Sequence, residues 1–343
     1  MKKLKYLGII VLPIAAYIAF TSTGILTYLP LIIAFVLIPA IELLFKPDAS
    51  NLSELEVESA KNNPYYTLLL FLIVPIQIGL LLLFFNTIQE DISTSDLIGR
   101  LLSMGILCGV FGINVGHELG HRTENRFAQF LGEVLLMTSL ETHFLPYHNS
   151  GHHFNVATHE DPATARKNEW LFTFWFRSQI GSYIQAWQLE KKRLSIQKKN
   201  TFSLNNRMLI YTFFQILLLA SIYYFLGGQS LIYFLIVSVI GILLLETVNY
   251  IEHYGLLRNK KESGRYEVVT NKHSWNSNHV IGRILLFELS RHSDHHHRAN
   301  KPYQILDSHI DSPQMKTGYP GMMLLALIPP LWFKVMNKRI PES

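Results

Sequence analysis

Fifteen histidines occur in the 343 residues, and nine of them fall into three compact groups. The first group is Gly116-His117-Glu118-Leu119-Gly120-His121-Arg122. His117 and His121 are four apart, so a helix carries both on one face, where they can share a metal ion. The second, His148-Asn149-Ser150-Gly151-His152-His153, has the pattern HxxxHH. The third, Arg291-His292-Ser293-Asp294-His295-His296-His297, has HxxHH with one histidine more. A fourth element, Asn249-Tyr250-Ile251-Glu252-His253-Tyr254-Gly255-Leu256, adds His253 as a ninth candidate ligand. A lone histidine in apolar sequence is ordinarily structural. Eight in ligand spacing, spread from His117 to His296 beside apolar stretches, point to a metal site. They are too dispersed for a His-rich tail.

The choice of metal follows from the number of imidazoles. HELGH has the HExxH pattern of zinc proteases, which needs Glu118 as base and a third ligand in a soluble cleft. Zinc takes four ligands and would leave most of the nine unused. Two six-coordinate iron ions would use nine nitrogens and keep about three positions open for water or O2, as oxygen activation requires. Imidazoles are neutral, so two Fe2+ ions bring a formal +4. Carboxylates are expected to compensate by accepting the other ring N–H, with Glu118, Glu141 or Asp161, Glu252 and Asp294 as candidates.

The elements that must position these groups are membrane helices. Hydrophobic residues make up 49% of the chain and charged residues only 16%, against ~25% charged in soluble proteins. Mean hydropathy is +0.20. This excludes a disordered chain, a coiled coil and a disulfide scaffold; Cys108 is the one cysteine, which excludes a four-cysteine metal site. Six stretches approach the ~20 residues that a spanning helix needs: 6–21, 25–45, 66–85, 97–116, 208–226 and 231–250. The expected fold is an all-α integral membrane protein forming one domain over 1–343, six transmembrane helices under a cytoplasmic helical cap that carries the His-rich di-iron site. Phe127 to Pro146 reads as a helix buried against the bundle or lying at the interface, and Gly321 to Met336 as an interfacial or re-entrant piece. Eleven Lys/Arg lie between His117 and Arg207 and thirteen follow Tyr250, whereas 22–24, 86–96 and 227–230 carry none. The positive-inside rule puts both termini and all the histidines in the cytoplasm. The net charge of +5 follows topology, so it argues for no nucleic-acid surface.

With these motifs in hand, the chain resembles the membrane alkane hydroxylases (alkane 1-monooxygenases) of the wider membrane fatty acid desaturase/hydroxylase superfamily. Asn114 to Arg122 matches the first box, and His148 to His153 with Asp161-Pro162-Ala163 resembles the second. Asn249 to Leu256 matches the NYxEHYGL element, and Leu289 to His296 resembles the third box. His273 to His279, Gly264 to Glu267 and Thr317 to Gly321 are also similar. The resemblance implies two iron ions held by His117, His121, His148, His152, His153, His253, His292, His295 and His296. Tyr147 stands where the family usually has Glu, and Ser290 where it has Gln. His159 and His297 are additional. Tyr147 leaves open what supports His148. His143, His273, His279 and His309 are taken as structural or supporting residues.

The implied reaction is RCH3 + O2 + two electrons + two protons → RCH2OH + H2O, on an apolar alkane drawn from the lipid bilayer of a bacterial inner (plasma) membrane. A lipid desaturase or fatty-acid hydroxylase with the same di-iron chemistry is the alternative; its boxes generally read HxxxH, HxxHH and HxxHH. A metal transporter would want ionisable groups at mid-membrane, of which these spans have almost none. The chain has no flavin or dinucleotide motif and no cysteine cluster. Electrons must therefore come from a separate carrier. The resemblance implies rubredoxin and rubredoxin reductase, with Lys191, Lys192, Arg193, Lys198 and Lys199 as a basic surface that would attract an acidic carrier or anionic lipid.

Overall fold

The computed structural model describes residues 2–89 and 91–341. Glu90, in the polar connection 86–96, lies outside the described residues, as do Met1, Glu342 and Ser343. Among the described residues the regular elements are all helical.

Five helices are long and apolar enough to cross a membrane: α1 (Lys3–Thr21), α2 (Gly24–Leu44), α3 (Pro64–Thr87), α4 (Thr94–Gly120) and α8 (Arg207–His253). Between and beyond them run α5 (Arg126–Met137), α6 (residues 144–155), α7 (Leu171–Ile196), α9 (Val280–Leu285), α10 (His292–His297), α11 (Tyr319–Ala326) and α12 (Pro329–Met336). Several helices extend past their apolar stretch because a polar residue caps the first turn. The Asn63 carboxamide accepts from Tyr65 N before Pro64, Ser93 Oγ from Asp96 N, and Asn206 from Met208 N.

The 47 residues of α8 would make a rod about 70 Å long, over twice the hydrocarbon thickness of a bilayer. They do not. Gly227 breaks the helix at φ 85°, ψ 171°, a conformation open to glycine. Gln215 Nε2 donates to Leu140 O at 2.8 Å. Gly241 packs so closely on Cys108 that a Cβ there would sit 2.8 Å from the Cys108 Cβ. Cys108 in turn meets Thr138 O at 3.5 Å. Gln215 and Gly241 therefore lie side by side, and α8 is a hairpin of two antiparallel arms.

At the end far from the histidines, Arg100 clamps the connections. Its guanidinium donates to Thr87 O (2.6 Å) and Ser22 O (3.1 Å), while Asp96 accepts from Gly24 N (2.7 Å). At the histidine end, Glu288 is a buried hub. Lys5 Nζ and Tyr6 OH reach Glu288 Oε1 at 2.7 Å each, and Arg283 Nε lies 2.8 Å from Oε2. This ties α1 to the loop that leads into α10. Arg291 adds bonds to Leu306 O and Ser50 O.

The stretch 127–146 departs from the single helix expected. The helix α5 ends at Met137, and Leu140 takes φ 57° before α6 begins at Phe144. Ser139 Oγ and Thr138 bind Cys108 on α4, which draws the chain into a turn. α5 is amphipathic: Ala128, Gly132, Leu135 and Leu136 are buried, while Phe127 and Phe130 are exposed. The C-terminal apolar piece is two short helices, α11 and α12, which meet just ahead of Pro329-Pro330 and bury Met322, Trp332 and Met336 in the core.

α5 backs the histidine-bearing end of α4 through bare backbone. A Cβ at Gly132 would lie 2.8 Å from Gly116 O and 3.2 Å from Gly120 N. Backbone cannot yield as a side chain can, so Gly132→Val is expected to destabilise the detergent-solubilised protein by about 2–3 kcal/mol. The measurement is the apparent Tm, together with the metal retained per chain. Wild-type values of both would show that the contact is looser than described.

Candidate metal centre

The first group is set by the end of α4. The helix widens to a π-helical stretch over Cys108–Val115 and returns to α geometry over Gly116–Gly120. His121 N still bonds His117 O at 3.2 Å, so the two rings lie one turn apart, edge to face, with Nε2 atoms 2.9 Å from each other.

The second group depends on a π turn. In an α-helix, at about 100° per residue, His153 would point roughly 140° away from His148. Here residues His148–His152 form a π turn, and the His153 N–H bonds His148 O, five residues back. His153 is thereby drawn over His148, Nε2 to Nε2 at 3.0 Å, while His152 turns to a neighbouring position against His296 at 3.1 Å. Phe144 stacks on His148 at 4.5 Å.

His253 is the last residue of α8, and its Nδ1 lies 3.4 Å from Ser274 Oγ. The third group forms α10, a helix of six residues. Together the nine rings make two adjacent clusters. His117, His121, His148, His153 and His295 form one; His152, His253, His292 and His296 form the other. Within each cluster the ligand nitrogens lie within 4.8 Å of one another. His153 is the one member not fully buried. His159 and His297, the extra histidines, are exposed. His143, His273, His279 and His309 bond Ser182, Thr270, Ser277 and Asp294 respectively.

The candidate supporting carboxylates divide. Asp161 Oδ2 meets His152 Nδ1 at 2.9 Å, and Tyr147 OH donates to Asp161 Oδ1 at 2.6 Å. Tyr147 thus braces His152 through Asp161. Glu252 accepts from Tyr319 OH (2.8 Å) and faces His292 on its inner nitrogen, Nε2, at 3.1 Å rather than on the outer one. Glu118 is engaged by Arg122 and Tyr303 N. Glu141 is engaged by Gln179 and His143, and Asp294 by Lys301, His309 and Asp307 N. Ser274 was missed as a partner of His253, although it lies inside the His273 to His279 motif. The long helix α7 was missed as well. It buries Phe174, Ser178, Ser182, Ala186, Glu190 and Leu194, a fourfold spacing of mostly small and polar residues that a search for apolar runs passes over.

Each neutral imidazole has one N–H. Nε2 atoms meet at 3.2 Å (His117–His295), 3.1 Å (His121–His148) and 3.2 Å (His253–His292). The Nδ1–H of His152 is turned outward to Asp161, which leaves its Nε2 as an inward lone pair, and the other rings can offer Nε2 lone pairs in the same tautomer. Such a donor set fits cations, since two nitrogens at right angles on one ion at about 2.1 Å are about 3.0 Å apart. Burial, then the neighbouring imidazoles, push the pKa values of His148, His153, His292 and His296 well below the usual histidine range, and that of His295 down to about 3. These five rings are held neutral at neutral pH, as ligands must be.

A cavity of about 960 Å³, mouth included, ends on His117, His148 and His292, so it touches both clusters. Its walls are Leu, Ile, Val, Phe and Met from α1, α2, α4, α8, α9 and α11, with Asn114, Asn249 and Glu252 as the polar groups besides the histidines.

Residues 97–323 match the family model described as fatty acid desaturase. The chain is similar to alkane 1-monooxygenase 1 of Alcanivorax borkumensis, 39% identical over 92% of this chain and 78% of the relative. It is 36% identical to the alkane 1-monooxygenase of Ectopseudomonas oleovorans over 94% of this chain and 80% of that one. The xylene/toluene monooxygenase hydroxylase component XylM of Pseudomonas putida is 29% identical over 82% and 76%.

The two clusters should respond separately. His253→Ala is expected to remove about one of two bound divalent ions, and Asp161→Asn to weaken the same site roughly 10–100-fold. Co2+ titration followed by elemental analysis reads both. Two ions bound with wild-type affinity in His253→Ala would make His253 structural.

Proposed function

The chain belongs to the fatty acid desaturase family, and on that premise we propose that it hydroxylates the terminal carbon of n-alkanes to 1-alkanols, with O2 and two electrons, at a di-iron centre held by the nine histidines. Two iron ions in the His clusters would supply the reductive activation of O2. The observation that carries the reading is the cavity. Its wall is apolar but for Asn114, Asn249, Glu252 and the histidines of both clusters, and it holds no Lys or Arg. A fatty acid or acyl conjugate would bring an anionic head with no counter-charge in such a wall. An unsubstituted chain has no such need, and this favours the alkane over the lipid desaturase alternative.

The chain's own residues then do three things. Leu12, Phe35, Ile38 and Met323 line the cavity and hold the substrate by burial alone, at about 0.8 kcal/mol per methylene. The same walls exclude water and direct the chain end to the histidines. Asp161, held by Tyr147 and Thr164, accepts the outer N–H of His152 and so keeps its inner nitrogen free of a proton.

Electrons are taken to come from rubredoxin and its reductase, with the site and both termini on the cytoplasmic side of a bacterial inner membrane. The Lys/Arg asymmetry supports that orientation. Lys191, Lys192, Lys198 and Lys199 are exposed around the end of α7, while Arg193 is held by Glu190. The four lysines would steer an acidic carrier at low salt.

Membranes containing the protein should convert a medium-chain or longer n-alkane to the 1-alkanol only when rubredoxin and its reductase are both present, and more slowly at high ionic strength. Gas chromatography with each component omitted in turn is the assay. Alcohol made without a carrier would remove the electron-supply argument, and an alkene or 2-hydroxy fatty acid as sole product would favour the desaturase-type alternative.

Topology is checked with single cysteines, since Cys108 is buried. Asp91→Cys should react with an impermeant thiol reagent from outside intact cells, and Lys198→Cys and Ser263→Cys should not. Outside labelling of either of the last two would overturn the orientation.

A further inference from the structure

Two buried acids beside the clusters have no role in the account so far. Glu141, in the turn before α6, is 1% exposed, and Glu246, on the second arm of α8, is 2% exposed. Neither hydrogen-bonds a cation. Glu141 accepts from the Gln179 carboxamide at 2.9 Å, and its other oxygen lies 3.4 Å from His143 Nε2. Burial holds His143 neutral, with its pKa pushed down to about 4. Glu246 accepts from Asn249 at 3.3 Å. The charged groups around the pair are committed elsewhere. Arg177 is bound to Glu169 and to the carbonyls of Pro162 and Thr164. Asp161 is bound to His152, Thr164 and Tyr147. Burial raises the Glu141 carboxyl, and Glu246 adds to the rise against the Gln179 bond, to about 8.

We propose that Glu141 and Glu246 form a buried acid pair that stores protons beside the histidine clusters and releases them when positive charge gathers there. The pair has an inner and an outer end. Asn249, bonded to Glu246, lines the apolar cavity. On the other side, His143 packs edge-on against Tyr183 at 5.2 Å, and Tyr183 is exposed. The use of these protons in catalysis rests on the monooxygenase reading. Each turnover takes one alkane, one O2, two protons and two electrons from the carrier, and yields one alcohol and one water. Each –COOH that becomes –COO⁻ supplies one of those protons.

The storage claim is tested without turnover. Metal-free protein at neutral pH should show the infrared C=O stretch of a protonated carboxyl, shifted in D2O and lost in the double variant Glu141→Gln/Glu246→Gln. Zn2+ loading should release protons, counted with an indicator dye, and the double variant should release about one to two fewer per chain. An unchanged band and an unchanged proton count would overturn the proposal. If the double variant fails to fold, Glu141→Asp and the wild-type band during Zn2+ titration carry the same test, since a band indifferent to Zn2+ also overturns it. For catalytic use, Glu141→Gln should keep its metal but form alkanol roughly 100-fold more slowly, with more peroxide per O2 consumed and a larger solvent isotope effect. Normal coupling and isotope effect in that variant would remove the catalytic role. A wild-type protein that makes no alkanol would sink the monooxygenase reading and leave the proton-storage result standing.

Discussion

Nine imidazoles with their inner nitrogens turned toward one another in a buried volume are the constraint on which the rest of the structure depends. Nitrogen lone pairs brought to about 3 Å of one another in a buried site repel, and a cation between them relieves the repulsion. The surrounding structure must hold the rings in place. It does so with contacts that cannot slide: backbone against backbone at Gly116 and Gly132, the Glu288 hub that joins α1 to the approach to α10, and Tyr147 acting on His152 through Asp161.

What the sequence makes legible here is mostly what depends on local spacing. The eight histidines that spacing singles out, with His253 from the fourth element, make up the two clusters. Long apolar runs are equally plain, because a helix that is hydrophobic all round announces itself by length. The supporting carboxylates were less legible. Asp161 contacts a cluster histidine through its outer nitrogen, Glu252 does so through the inner one, and Glu118, Glu141 and Asp294 turn to other partners. Nearness in sequence to a histidine is a poor guide when the side chain may point to either side of its helix. α7 escaped notice because its inner face is built from serine, alanine and a buried glutamate, residues that read as surface.

The two ends of the bundle are built differently. At the far end a single arginine, Arg100, gathers the connections through backbone carbonyls, which requires no matching side chain. At the histidine end, charges meet charges and aromatic rings fill the gaps. Tyr250, Tyr254 and Trp332 stack around the exit of α8, with centroids 5.3–5.4 Å apart. The difference matches the work each end has to do. One only closes the bundle. The other must keep loops from distant parts of the chain in register around a small polar volume.

The π turn at His148–His152 has a consequence for how such a site could change over time. A π turn holds one residue more than the α turn it interrupts, so it is equivalent to a single inserted residue absorbed without breaking the helix. Removing Gly151 would leave every histidine present in the composition, yet would rotate the part of the helix beyond it by about a quarter of a turn or more relative to the part before. His152 and His153 would then no longer divide between the clusters as they do. The allotment of five rings to one cluster and four to the other is thus written in chain length as much as in residue identity. Descendants of this sequence could redistribute nitrogens between the two pockets by a one-codon gain or loss, without substituting any histidine.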